Sequence, residues 1–450
     1  MQQHVHVVGG GWAGLTAATK LNKNGIKVTL IEQSDHVGGR CTSFWDENFG
    51  EWLDIGTHAF LGAYEQVFEL LNTWGVDYNQ HLKFVSDVEW LSPNGDRLKF
   101  SISSSDESPK GSKRKALQSL ATLMTFKGMR FRDRLKTAKV LESLINFRPE
   151  KYRIEPTIAE YLWKFGIGRS DCGGLWVALC VSVFNGQPET IGLFPLVNAI
   201  KEGLMLGGKA ARLGVMTTSF KQLLIDPAEK YLHESGVEVL NRSRVQQLSI
   251  DDNNNIIGVQ FERKKLHCEH VILAIPPNAL LRILPTDTAS GDYFHRFTEF
   301  EMAPIATVHI NMKTSHMNSD VVMIPKSFTQ WLFTRGAENG NGRTNISAIV
   351  SDAPPKKKMK LEEIEEAVLM DLDRWFGRTS KPVIYKIKTL RFPDATILLK
   401  PGSKNLRPSA KTPIKGLYLA GDWCDTGLPA TIESATRSGN MAAEELLKSL

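Results

Sequence analysis

The spacing Gly9-x-Gly11-x-x-Gly14 limits what this chain can fold into more than any other feature. It follows a short apolar run, 4–8, and opens a helical stretch with Ala18 and Leu21 on its inner side, ending near Gly25. A second apolar run, 28–31, delivers Glu32. Strand, glycine turn, helix, strand and acid in this order make a β-α-β dinucleotide site. Each position has a physical reason. Gly9 permits the tight turn, Gly11 lets a pyrophosphate approach the backbone, and Gly14 lets the helix pack against the strand. Trp12 and Ala13 open the helix, whose free N–H groups and dipole favour an anion. Glu32 falls about 20 residues on, where a carboxylate can hold ribose hydroxyls.

At 450 residues the chain can form two domains and a large core. Its net charge of +6 is unevenly spread: residues 110–153 hold thirteen Lys and Arg against three acids. Cys41, Cys172, Cys180, Cys268 and Cys424 are scattered, odd in number and free of any C-x-x-C pair. That argues against a disulfide framework, a zinc site or a dithiol redox pair, and fits a reducing compartment. The first strand starts so early that no signal peptide is expected, and no run of 18 apolar residues could span a bilayer. A cytoplasmic protein is expected, with no nucleic-acid partner and no metal.

Further along, 54–64 reads Asp-Ile-Gly-Thr-His-Ala-Phe-Leu-Gly-Ala-Tyr, before a helix with Val67, Leu70, Leu71 and Trp74 inward. A hairpin is expected over 88–100, turning at 93–96. Residues 115–147 read as two helical pieces broken near Gly128, 158–185 as mostly helical, and 191–206 as an apolar segment stopped by glycines. Strand character returns at 237–245, in a hairpin over 248–261, and in a buried strand at 271–275. Segments 305–312, 330–333 and 344–350 predict strands flooring a substrate cavity, and 361–376 predicts an amphipathic helix. The fold class is α/β: a Rossmann-like parallel sheet with helices, plus a substrate domain of mixed sheet and helical cap. The expected division is 1–86, 216–285 and 401–450 for the dinucleotide domain, and 87–215 and 286–400 for the substrate domain.

Gly38-Gly39-Arg40 extends the site beyond the acid. Two glycines allow close backbone approach, and the arginine offers a charged fork for phosphate. Near the other end, 416–423 is a strand closing on Gly421-Asp422, and Pro429-Ala430-Thr431-Ile432 opens a long helix. These two motifs together resemble the flavoprotein superfamily of amine oxidases and phytoene desaturases. The resemblance implies FAD, held non-covalently. Gly38-Gly39-Arg40 would lie along its pyrophosphate and ribityl chain, as would Gly421-Asp422. The helix from Ile432 would point its N-terminus at the flavin pyrimidine, where the dipole stabilises negative charge on the reduced ring. Val245 corresponds to a strand valine whose backbone touches the adenine.

The wording of 54–64 and of 421–433 is similar to squalene-associated flavoproteins, the hydroxysqualene dehydroxylases. The similarity covers nearly the whole chain, is motif-grade only at its ends, and departs at Thr57, where an amide is frequent. It implies reductive removal of an allylic hydroxyl from a long isoprenoid alcohol. Such a site needs an acid, a dry apolar tunnel, and groups that stabilise a cation. His58 is the candidate acid, and with Thr57 it would sit beside the flavin. His309, on an apolar strand, reads as a core histidine, and Cys424 as a packed thiol rather than a flavin attachment point. No second glycine fingerprint follows, so electrons would come from NAD(P)H or another external donor. The basic stretch 113–139 has apolar residues beside its cations, which suits a membrane surface, and peripheral membrane association is expected. A phytoene-type desaturase is the nearest alternative. An amine or porphyrinogen oxidase is further off, and a lipid-binding flavoprotein without turnover belongs to another class.

Overall fold

A computed structural model describes residues 3–91, 97–101, 128–169, 171, 174–202, 208–262, 264–313, 319–325, 327–335, 342–351, 359–376 and 382–450. Five short parallel strands form one sheet, in the order Glu238–Leu240, Lys27–Ile31, His4–Val8, Val271–Leu273 and Leu417–Leu419. Val5, Val7, Leu30, Ile272 and Leu419 are fully buried. Covered on both faces, such strands read as continuous apolar runs rather than alternating ones. The helix Trp12–Lys23 crosses from the first strand to the second, and the helix Ile432–Leu447 lies along it. Gly439 lets the two touch: a methyl there would sit 2.2 Å from the Ala13 carbonyl oxygen.

The second sheet has seven strands. Their order is Ile384–Ile397, Met302–Lys313, Arg343–Ser351, Trp331–Arg335, Val321–Met323, Asp87–Leu91 and Arg97–Ser101. All neighbours run antiparallel except Val321–Met323 with Asp87–Leu91. Alternation divides its two faces. Ala306, Val308, Ile310, Leu332, Ile346 and Ala348 pack against Ile364, Val368 and Leu372 of the helix Leu361–Phe376. The odd-numbered residues of the same strands, His309 among them, face the dinucleotide side. The three expected floor strands and the amphipathic helix are therefore present. The expected hairpin is present too, though its turn at 93–96 lies outside the described residues.

The cap contains the helices Phe131–Ile145, Ile158–Trp163, Leu175–Phe184 and Leu193–Glu202. Residues 158–185, read as mostly helical, divide in two. Thr157 and Glu160 form a capping box at one helix start, and Gly166 and Gly174 adopt positive φ between the helices. The first of the two helical pieces expected over 115–147 lies mainly outside the described residues.

Candidate active site

The glycine turn is built as its spacing predicts. Gly9 has φ +102°, and a methyl at Gly14 would lie 1.9 Å from the Gly9 carbonyl oxygen. A methyl at Gly11 meets nothing within 4 Å. Gly11 caps the first helix without a side-chain acceptor, and no acid stands in its first turn. An open, uncapped and acid-free helix start is a place for an anion. Trp12 and Ala13 are buried there, Trp12 stacking on Trp74 at 6.3 Å. Glu32 accepts from the Gly10 N–H at 2.6 Å and the Ser34 N–H at 2.8 Å, so its carboxylate is fixed beside the turn. The Ser243 N–H donates to the Glu32 carbonyl. Val245, two residues on, is buried at the start of the strand Val245–Ile250.

Gly38 and Gly39 both have positive φ, and the Gly38 N–H donates to the Gly10 carbonyl. A methyl on Gly39 would stand 3.1 Å from the Gly11 Cα, so the second glycine pair lies directly on the first. Arg40 differs from a free phosphate fork. Its Nη2 meets Asp422 Oδ1 at 2.5 Å, and its Nη1 donates to the Ala395 carbonyl at 2.6 Å. The guanidinium thus ties the two distant motifs to each other and to the large sheet.

Gly421 has φ +147°, and its N–H donates to Ser438 Oγ. Thr431 caps the last helix by accepting from the Ser434 N–H. Pro429, Ala430 and Ile432 surround that helix start, with Pro429 and Ile432 buried. Two residues whose roles the motifs do not reveal act here. Arg407 donates to the carbonyls of Leu428 (2.6 Å), Asp422 (2.8 Å) and Trp423 (3.4 Å), and to Ser434 Oγ (3.4 Å). Glu433 accepts from the N–H groups of Gln66 and Val67, both at 3.1 Å, and so caps the helix Glu65–Thr73 from across the molecule. Arg407 lies outside every motif, and Glu433 closes one whose spacing is silent about its remote partners, Gln66 and Val67.

Thr57 and His58 lie in the same region. The Thr57 hydroxyl is buried and has no hydrogen-bond partner among the described residues. His58 Nδ1 donates to the Gly56 carbonyl at 2.9 Å, and its Nε2 faces Cys41 Sγ at 3.7 Å. Burial pulls the imidazole pKa down and pushes the Cys41 thiol up to about 12. A neutral imidazole whose only proton is held by a carbonyl is a poor acid, so the geometry favours a packing role for His58. His309 is the core residue expected: Nε2 donates to the Asp54 carbonyl at 2.8 Å, and Ser347 Oγ lies 2.9 Å from Nδ1. Cys424 is buried, and its thiol is pushed upward by burial, which leaves no thiolate for covalent chemistry.

Glycines that admit no methyl, an anion-ready helix start and an unspent Thr57 hydroxyl fit a bound dinucleotide flavin. Among the described residues, no group of three His, Cys, Asp or Glu could hold a metal. One helix of the cap carries an apolar stripe. Leu175, Leu179 and Val183 share one face of their helix and are only half-buried, and Ser182 beside them accepts from Trp331 Nε1 at 2.8 Å. Among the described residues, no helix is long and apolar enough to cross a membrane.

The family described as flavin containing amine oxidoreductase matches residues 12–447. A hydroxysqualene dehydroxylase of Zymomonas mobilis is 27% identical over 450 residues, covering 98% of both chains. A 15-cis-phytoene desaturase of Glycine max is 22% identical, covering 99% of this chain and 79% of its own. Cyclohexylamine oxidase from Brevibacterium oxydans has the same fold, with a TM-score of 0.73 at 16% identity over 100% of this chain and 99% of its own. With the family match running from the first helix to the last, this chain belongs to the flavin containing amine oxidoreductases and is an FAD-dependent oxidoreductase.

Proposed function

We propose that the protein removes the hydroxyl of hydroxysqualene reductively, giving squalene. The observation that carries this reading is the half-buried apolar stripe of the cap opposite an aromatic strand, joined to the flavin motifs through Arg40 and Ala395. Full-length similarity to the Zymomonas mobilis enzyme supports it. Reduced FAD, once bound, would supply a hydride to carbon while the C–O bond breaks and the hydroxyl leaves as water with one proton. The chain's own residues do the rest. Gly9, Gly11, Gly14 and Glu32 would hold the adenosine half of the cofactor, and Gly38, Gly39, Asp422 and the 429–432 helix start would hold the flavin half. Thr57, whose hydroxyl has no partner among the described residues, would offer it to the cofactor, and the apolar stripe excludes water and shapes the path for an isoprenoid. Electrons would arrive from NAD(P)H or another external donor. The lipid would enter from a membrane surface met by the basic stretch 113–139. In the described part of that stretch, Phe131 and Leu135 are exposed among Arg132, Arg134, Lys136 and Lys139.

The test is to reduce the purified holoprotein anaerobically and add hydroxysqualene. Reoxidation of the flavin with squalene formed supports the dehydroxylase. The similarity to phytoene desaturases favours one second reading. If reduced flavin stays reduced while a polyprenyl hydrocarbon bleaches the oxidised protein, the desaturase replaces it.

A further inference from the structure

The long strand Ile384–Ile397 lies at one edge of the large sheet and pairs with Met302–Lys313. Ile305 stands opposite Phe392 and Ala303 opposite Thr396, so residues 393–395, Pro-Asp-Ala, face Pro304 alone. This bulge has a cause in the sequence, because neither Pro304 nor Pro393 has an N–H for the ladder. A bulge withdraws backbone carbonyls from pairing, and they need other partners. Two side chains from distant parts of the molecule serve here. Arg40 donates to the Ala395 carbonyl at 2.6 Å, and its other arm holds Asp422. Asn185 Nδ2 donates to the buried Pro304 carbonyl at 3.2 Å and to Thr396 Oγ1 at 3.1 Å.

Asn185 ends the cap helix Leu175–Phe184 in the left-handed region, at φ +50°. Asparagine tolerates that conformation and glycine adopts it freely. The chain then presses on the end of the same edge strand: a methyl at Gly186 would stand 2.9 Å from Leu398 Cδ1. Ser182 makes a second tie from this helix, accepting from Trp331 Nε1 at 2.8 Å. That tie ends three strands away from Ala395, in the order of the sheet. Of the two, only Asn185 meets the bulge that Arg40 grips. We propose that this bulge is a joint that registers the cap against the bound flavin, with Asn185 as its positioning residue. Cap, sheet and flavin motifs are fastened together at this one point. Registration matters because misplacing a reactant by about 1 Å costs on the order of 10²-fold in rate. The assignment goes beyond the choice of isoprenoid and holds for dehydroxylase and desaturase alike.

The test compares wild type with Asn185→Gly, Thr396→Val and Ser182→Ala, all as holoproteins. Asn185→Gly keeps the left-handed backbone and removes the amide. Thr396→Val removes one acceptor with little change of shape, and Ser182→Ala cuts the other tie. FAD release after dilution is followed by flavin fluorescence, and amide hydrogen exchange is measured over 175–184. Exchange should rise in both Asn185→Gly and Ser182→Ala, since each frees the helix from the sheet. FAD release should be about tenfold faster in Asn185→Gly, the worth of one neutral hydrogen bond. It should be faster by less in Thr396→Val and unchanged in Ser182→Ala. Three results overturn the joint: unchanged exchange in Asn185→Gly, FAD release from it at the wild-type rate, or equal acceleration in Ser182→Ala. If Asn185→Gly yields no holoprotein, Thr396→Val decides, with faster release upholding the joint and wild-type release overturning it.

Discussion

At Gly14 an added methyl would press 1.9 Å from the Gly9 carbonyl oxygen, and nothing flexible is available to give way. Gly14→Ala should therefore cost about 1–3 kcal/mol of local packing and yield protein with far less than one flavin per chain, read from the ratio of protein to flavin absorbance. Asp54 supplies a prediction of a different kind. It accepts from Ser43 Oγ at 2.6 Å and the Phe220 N–H at 2.9 Å, yet burial raises its carboxyl pKa from 3.8 to about 6. A raised acid binds its proton more tightly in the folded state. Its contribution is therefore complete below the unfolded pKa near 3.8 and is lost as pH rises through about 6. The difference is on the order of 3 kcal/mol. Asp54→Asn keeps an acceptor for both donors and should flatten this part of the stability profile. Thermal melts of wild type and variant across that range check it, and parallel profiles would remove Asp54 as the cause.

At the scale of elements, the segment between the last short strand and the last helix depends on Arg407. Four bonds from one guanidinium hold it, and burial works against the charge that makes them. Removing a charged donor from such a network costs about 1.5–3 kcal/mol per bond lost. Arg407→Gln should weaken FAD binding at least tenfold in a fluorescence titration of the apoprotein, with Arg407→Lys recovering part of the loss. Unchanged FAD affinity would show that the loop holds itself. This segment also marks what sequence can tell. Gly421, Asp422 and the helix start at Ile432 were legible because a turn and a helix end leave local signatures. Arg407 and Glu433 were not: Glu433 caps a helix whose N–H groups belong to Gln66 and Val67. Such a pairing exists only after the chain has folded. The same holds for Arg40, where spacing suggested a phosphate fork and folding supplied Asp422 and Ala395. The glycine turns and the strands expected over 305–312, 330–333 and 344–350 were legible, since their causes are steric and periodic, whereas the long strand Ile384–Ile397, with Lys, Thr, Arg and Asp along it, gave no such pattern.

Taken as a whole, the molecule has an uneven surface. The helix Phe131–Ile145 buries Thr137, Val140 and Leu144 and leaves Phe131, Leu135 and Ile145 exposed. Cations flank the exposed positions, so anionic lipid should attract this face by roughly 1 kcal/mol per basic residue near the surface. Replacing Arg130, Arg132 and Arg134 with Glu should abolish co-sedimentation with anionic liposomes at low salt while leaving flavin content intact. Equal sedimentation would exclude this face as a membrane contact.

The contact of Gly439 with Ala13 has a consequence in time. The glycine turn and the helix that completes its pocket are separated by almost the whole chain. At about 5–20 residues per second, a ribosome would make the first and deliver the second on the order of tens of seconds later. Through that interval the nascent chain holds half of a flavin site. Flavin capture is then a late event in synthesis, and a chain broken off before Gly439 should never turn yellow.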